Sequence, residues 1–458
     1  MRIATALDIP EGESLGFQVI DDYRVLAGAN SFAGVNIMSN DLGAYNKAAY
    51  ATTRNKILET VNPQFAAGLT HNVLHGFSYI SGPETTWPGW GAFTPYKGRI
   101  GYSESWGLFD ANSTDVITDV KHLLSLRNVV NVANSSDIPT GLEKLGSSPA
   151  VTHSASPLIH IRREHGDFDL YFFTANSSST GVSQDVWLPI RHEYVAPLEL
   201  DPWSGEVNLA GRYTIVDGRL NILTSIEPQQ SKLLIVAPSS ADVLHVVNST
   251  ADLICRNSTS GQLFVRNGEA GDLTIALSND SQLIASFKAP LPTIGLTDWA
   301  LGVDDWQPAN ESPSDDVEDI VATQFVHHSY NITSLSPWSD IDGLQNVSGN
   351  ATYWTDFVLG TTDAPYGSSA GAYMELNMFQ GSFRAEINGE ALGALDQMAH
   401  RFDVGKWLRN GTNTLEIEVA TSLINRMRAF QPQYYEVYAR QKYGLKSVTI
   451  RPFSQSAV

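Results

Sequence analysis

The chain has 458 residues, more than one hydrophobic core usually supports, so two to four domains are expected. Its 42% hydrophobic and 17% charged composition is that of a folded chain, while a formal net charge of -20 argues against nucleic acid and anionic membrane surfaces as partners, since both would repel it. The single cysteine, Cys255, excludes an internal disulfide and any cysteine-based zinc cluster, and no run of about 18 apolar residues is present to span a membrane.

In chain order, the opening Met1 to Asp8 has too short an apolar stretch for a signal peptide. Val35-Asn36-Ile37-Met38-Ser39 reads as a strand ending at Asn40-Asp41. A helix from about Ala44 to Val61 follows and stops at Asn62-Pro63, and Asn72-Val73-Leu74-His75 reads as a second strand. This spacing predicts one βα unit of a parallel sheet. The Gly-, Pro- and Trp-rich stretch from Gly82 to Trp106 is a long loop of the kind that carries ligand sites. Residues 110–152 read as a short α/β insert with helix-like segments around Asn128 to Val132.

From His153 the texture turns to β. Ile159-His160-Ile161-Arg162 and Leu170-Tyr171-Phe172-Phe173 frame the turn His165-Gly166-Asp167, and further short strands up to Val236 predict a β-sandwich. Ala241 to Phe287 adds short strands of undecided allegiance. After the linker Ala289-Pro290-Leu291-Pro292 and an acidic stretch, a last β module holds the hairpin signal Asn388-Gly389 between apolar runs. The expected domains are 1–109, 110–152, 153–288 and 289–458.

Eleven Asn-x-Ser/Thr sequons occur, at Asn112, Asn134, Asn176, Asn248, Asn257, Asn279, Asn310, Asn331, Asn346, Asn350 and Asn410. They imply a secreted, glycosylated lineage. Set against the lack of a signal peptide, they imply that the natural N-terminus lies outside this chain.

The segment Gly34 to Ala44, Phe65-Ala66-Ala67-Gly68 and Val73-Leu74-His75-Gly76-Phe77-Ser78-Tyr79, with Trp87-Pro88-Gly89-Trp90 and Tyr102-Ser103-Glu104-Ser105-Trp106, together resemble the end of the catalytic barrel of glycoside hydrolase family 106, which contains α-L-rhamnosidases. Glu386-Ile387-Asn388-Gly389, Gly411 to Val419, Leu423-Ile424-Asn425 and Tyr443-Gly444-Leu445 are similar to the galactose-binding-like jelly roll of family 2 and family 106 enzymes. The resemblance implies a multidomain α/β plus β chain: a partial (β/α)8 barrel, then β-sandwich modules, the last a jelly roll. It also implies calcium, for which the sequence offers no ligand set; Asp315-Asp316-Val317-Glu318-Asp319 reads as a solvated linker.

Glycoside hydrolysis needs two carboxyl groups flanking the scissile bond. Asp41 follows a predicted strand at the end where β/α folds place catalysis, and the resemblance puts an acidic residue there, usually Glu; the alternative is a turn carboxylate capping the next helix. Glu104 is the other catalytic candidate, and as readily a surface glutamate. His75 can bond a sugar hydroxyl or close its strand, and Trp87, Trp90 and Trp106 can stack on sugar rings or pack beneath the loop. In the jelly roll, Trp338, Trp354, Asn388 and Asn425 are sugar-contact or structural residues. The expected activity is glycosidase-like, with carbohydrate as the partner. The alternative is a non-catalytic carbohydrate-binding fragment, because about 110 residues precede the insert where a full barrel takes about 250. Open barrel edges would also favour self-association.

Overall fold

The computed structural model describes residues 7–13, 19–42, 50–74, 87, 140, 144, 150–154, 157–175, 181–256, 261–309, 323–361, 366 and 369–458. It is 50% strand and 13% helix, so the chain is β-rich, with one α/β unit at its start.

That unit is a three-stranded parallel sheet of β1 (Glu11–Glu13), β2 (Ser39–Leu42) and β3 (His71–Leu74), connected through α1 (Ile20–Ala33) and α2 (Arg54–Ala67). Thr53 starts α2 by accepting the Lys56 N–H at 3.3 Å, and Gly68, at φ 117°, ends it by donating back to the last turn. Two expectations are corrected here. The run Val35 to Met38 leads into β2 but lies outside it; the strand holds Ser39, Asn40, Asp41 and Leu42. The second helix does not stop at Asn62-Pro63 but continues to Ala67 with Pro63 inside it. Pro63 lacks the N–H its turn needs, and tertiary packing compensates: Asn62 donates to the Gln229 carbonyl at 2.7 Å, and Phe65 meets Phe172 edge to face at 6.0 Å.

Residues 150–238 form two antiparallel sheets, of five and three strands, closed over a core that includes Tyr171, Phe173, Val186, Leu188, Leu220 and Leu234. This β-sandwich packs on α2, where Arg163 also donates to the Gly68 carbonyl at 2.9 Å.

The last module is two facing sheets around Trp299, Trp338, Tyr353, Ile417 and Tyr443. One contains β4 (Trp299–Pro308), β5 (Thr323–Ile332), β6 (Gly349–Leu359) and β7 (Gly411–Ala420), ordered β5-β4-β6-β7 with β5 at the edge. The other is built on Leu445–Ala457, which pairs with Ala370–Met378. It also recruits Leu253–Arg256 and Leu263–Asn267, strands the sequence left unassigned. The turn Asn388-Gly389 has φ values of 54° and 79°, the doubly left-handed geometry that makes Asn-Gly a hairpin signal. Two short helices, α3 (Ile424–Phe430) and α4 (Pro432–Tyr435), follow β7. A buried Asp305 on β4 pins α3 through an ion pair with Arg426.

Candidate active site

Side chains alternate across a strand, so β1, β2 and β3 each divide between two faces. Asn40 and Leu42 point at the helices. The Asn40 carboxamide accepts from the Tyr23 hydroxyl at 2.9 Å and donates to Gln64 at 3.1 Å, which fixes β2 against both α1 and α2, and Leu42 is 2% exposed. Glu11, Glu13, Ser39, Asp41, His71 and Val73 therefore share the opposite face.

The register orders these residues in two layers. In the lower one Glu11, Ser39 and His71 lie side by side. The Ser39 hydroxyl donates to Glu11 at 2.7 Å and lies 3.0 Å from His71 Nδ1. A hydroxyl has one proton, and Ser39 gives it to the carboxylate, so His71 must carry a proton on Nδ1 and donate it to Ser39. In the upper layer, at the carboxyl ends of the strands, Glu13 stands beside Asp41 and Asp41 beside Val73. Adjacent strands are about 4.8 Å apart, so two carboxyl groups are held at neighbouring positions. Glu13 Oε1 and Asp41 Oδ1 are both shielded from water.

Described residues beyond β2 and β3 contact the last module. Tyr50, beyond β2, meets Tyr435 edge to face at 5.7 Å, and the Ala51 carbonyl accepts from Gln441 at 2.8 Å. Trp87, beyond β3, meets Phe430 at 5.4 Å, and its indole N–H donates to Thr323 at 3.1 Å. Helices α3 and α4 carry these contacts and present aromatic surface: Phe430 is 40% and Tyr434 65% exposed.

Of the residues proposed from sequence, Asp41 lies at the carboxyl end of β2. Trp87 is 4% exposed and packed on Met427 and Phe430, which leaves no ring face for a sugar; packing is its role here. Glu104, His75, Trp90 and Trp106 lie outside the described residues. In the last module, Trp338 is fully buried and donates to the Tyr353 hydroxyl at 2.7 Å. Asn425 is 1% exposed and bonded to the Gln441 backbone through both ends of its carboxamide, and Asn388 bonds Trp407 and Asn413 beneath its turn. These three are structural. Trp354 is 38% exposed. Sequence reasoning missed Glu13. The available signal was Glu-Gly-Glu preceding a helix and the β2 strand, but three residues without an apolar run read as a turn. Among the described residues no group of three or more His, Cys, Asp or Glu side chains converges to hold a metal ion.

No family model matches the sequence, and no curated protein matches it. Among solved structures, the chain is similar to a rhamnosidase from Novosphingobium sp. PP1Y, with a TM-score of 0.62 at 14% identity over 99% of this chain. The chain spans about half of that protein's length (52%). Matches to an FMN-binding β-glucuronidase from Faecalibacterium prausnitzii (TM-score 0.21, 17% identity, 35% of this chain and 22% of that one) and to an α-L-rhamnosidase from Dictyoglomus thermophilum (0.17, 9%, 64% and 27%) are too distant to carry an argument. The fold is glycoside-hydrolase-like.

Proposed function

We propose that this chain belongs to a glycosidase of the α-L-rhamnosidase kind, and that Glu13 and Asp41 are its pair of reacting carboxyl groups. One observation carries the reading: two acids stand in register at the carboxyl ends of neighbouring parallel strands, on the face turned from the helices, within a fold that follows a rhamnosidase over almost the whole chain. In such chemistry one carboxyl group protonates the glycosidic oxygen as the bond breaks. The other, as carboxylate, attacks the anomeric carbon or activates water against it. The Glu11–Ser39–His71 layer beneath fixes the strands that carry them, and Phe430 and Tyr434 offer apolar faces for sugar rings. On this reading β1 to β3 are part of a (β/α)8 barrel of the family 106 type, whose ligand sites lie at this end. No step of the reading passes through a metal.

A second reading rests on the chain's spanning about half of the rhamnosidase it matches: a carbohydrate-binding fragment that does no chemistry by itself. Both are tested by hydrolysis of a chromogenic α-L-rhamnoside with wild type, Asp41→Asn and Glu13→Gln, beside a titration with L-rhamnose. The expected result is turnover that falls by about 100-fold or more in each variant. Turnover indifferent to both substitutions removes the carboxylate pair from the site. Rhamnose binding without turnover by the wild type favours the binding fragment.

A further inference from the structure

Six sequons have their asparagine among the described residues, and the structure separates them. Asn350 is half-buried within β6. The Asn279 carboxamide closes its own turn on Ser281, and Asn346 accepts from Arg440 at 2.9 Å. Asn248 and Asn410 are exposed and do not line the groove that Asn331 lines. Asn331 is exposed and lies on the edge strand β5. It also lines a groove of about 640 Å³ together with Asp298, Ala300, Thr333, Trp354 and Asp356.

The floor of that groove explains why it exists. Asn331 pairs with Ala300 on β4, and Ala300 pairs with Trp354 on β6, so the three form one row across the sheet with the smallest side chain in the middle. One row along, a Cβ on Gly302 would come within 3.3 Å of the Trp354 ring, so the indole leans inward over a glycine. Two strand spacings put Asn331 and Trp354 about 10 Å apart. A pyranose ring joined to the asparagine amide spans that gap, with its C–H face on the indole and its hydroxyls toward Asp298, Thr333 and Asp356.

We propose that Asn331 is an N-glycosylation site, and that the first N-acetylglucosamine of its glycan occupies this groove against Trp354. In the modification, a polyprenyl-pyrophosphate oligosaccharide is the donor. The Asn331 Nδ2–C1 bond forms, the C1–oxygen bond to pyrophosphate breaks, and the amide loses one proton. The site is independent of the glycosidase reading.

The test uses full-length protein secreted by a eukaryotic host and the same chain made in bacteria, each as wild type, Asn331→Gln, Trp354→Ala and the double variant. Glycopeptide mass spectrometry is expected to find Asn331 occupied. In the secreted protein each single substitution is expected to lower Tm by about 2 °C, the double variant no further, and trimming to one N-acetylglucosamine to leave Tm unchanged. In the bacterial protein Trp354→Ala should not lower Tm. An unoccupied Asn331, additive losses in the double variant, or an equal Trp354→Ala effect with and without the glycan overturns the proposal. So does binding of L-rhamnose, but not N,N′-diacetylchitobiose, to the unglycosylated groove, which would assign it to a free sugar.

Discussion

The parallel sheet at the start of the chain and the β5-β4-β6-β7 sheet of the last module each pack one face against their own core, yet their other faces differ in kind. In the last module the other face carries Ala300, Gly302, Asp304, Thr352 and Trp354 in alternation with a buried, mostly apolar set, as expected of an antiparallel sheet turned to water. Parallel sheets are normally covered on both sides, and their strands are apolar on both sides. Here the side turned from the helices has Glu11, Glu13, Ser39, Asp41 and His71. Solvation explains the first face; the second places acids where a parallel sheet would place valine or isoleucine. On the proposed reading, these acids stand there for the chemistry.

The comparison is most severely tested by breaking the better-packed partner. Asp305→Ala strands Arg426 beside a buried vacancy, and is expected to cost 3–5 kcal/mol, read as a lowered midpoint in urea unfolding. The intermediate case is the β-sandwich. Burial, then the neighbouring His153 and Arg24, lower the His160 pKa from 6.5 to about 4. Between those values the unfolded chain binds a proton that the folded one refuses, so stability falls as pH drops from about 6.5 toward 4 and levels off below it. At pH 5 the loss is roughly 2 kcal/mol at most, and His160→Leu should flatten that part of a Tm against pH curve. The smallest effect belongs to the parallel sheet. Asp41→Asn and Glu13→Gln should each move stability by less than about 0.5 kcal/mol while abolishing turnover. A large loss of stability in either would make the carboxylates structural and erase the contrast between the two faces.

Much of this was legible in the sequence where local chemistry decides the outcome. Asn388-Gly389 demanded a left-handed turn and formed one, and the alternating run from Gly411 to Val419 became β7. Asp41 could be found because an apolar run leads into it. Glu13 could not, since β1 is only three residues long and owes its strand to pairing with β2 rather than to its own composition. Pro63 misled for the opposite reason: its local rule is strong, but contacts to Gln229 and Phe172, more than a hundred residues away, carry the helix past it. Trp87 shows a third limit, because a tryptophan in a glycine-rich loop reads identically whether it faces a sugar or Phe430.

The strand Leu445–Ala457 hydrogen-bonds to Ile294–Gly295, to Ala370–Met378 and to Leu263–Asn267, joining segments made nearly two hundred residues apart. During synthesis, then, Leu263–Asn267 waits unpaired on that side until Leu445–Ala457 has emerged, so the last module closes late and slowly, as non-local β pairing does. The interval exposes apolar strand edges, and it makes folding yield, more than final stability, the property that substitutions in this strand will change first.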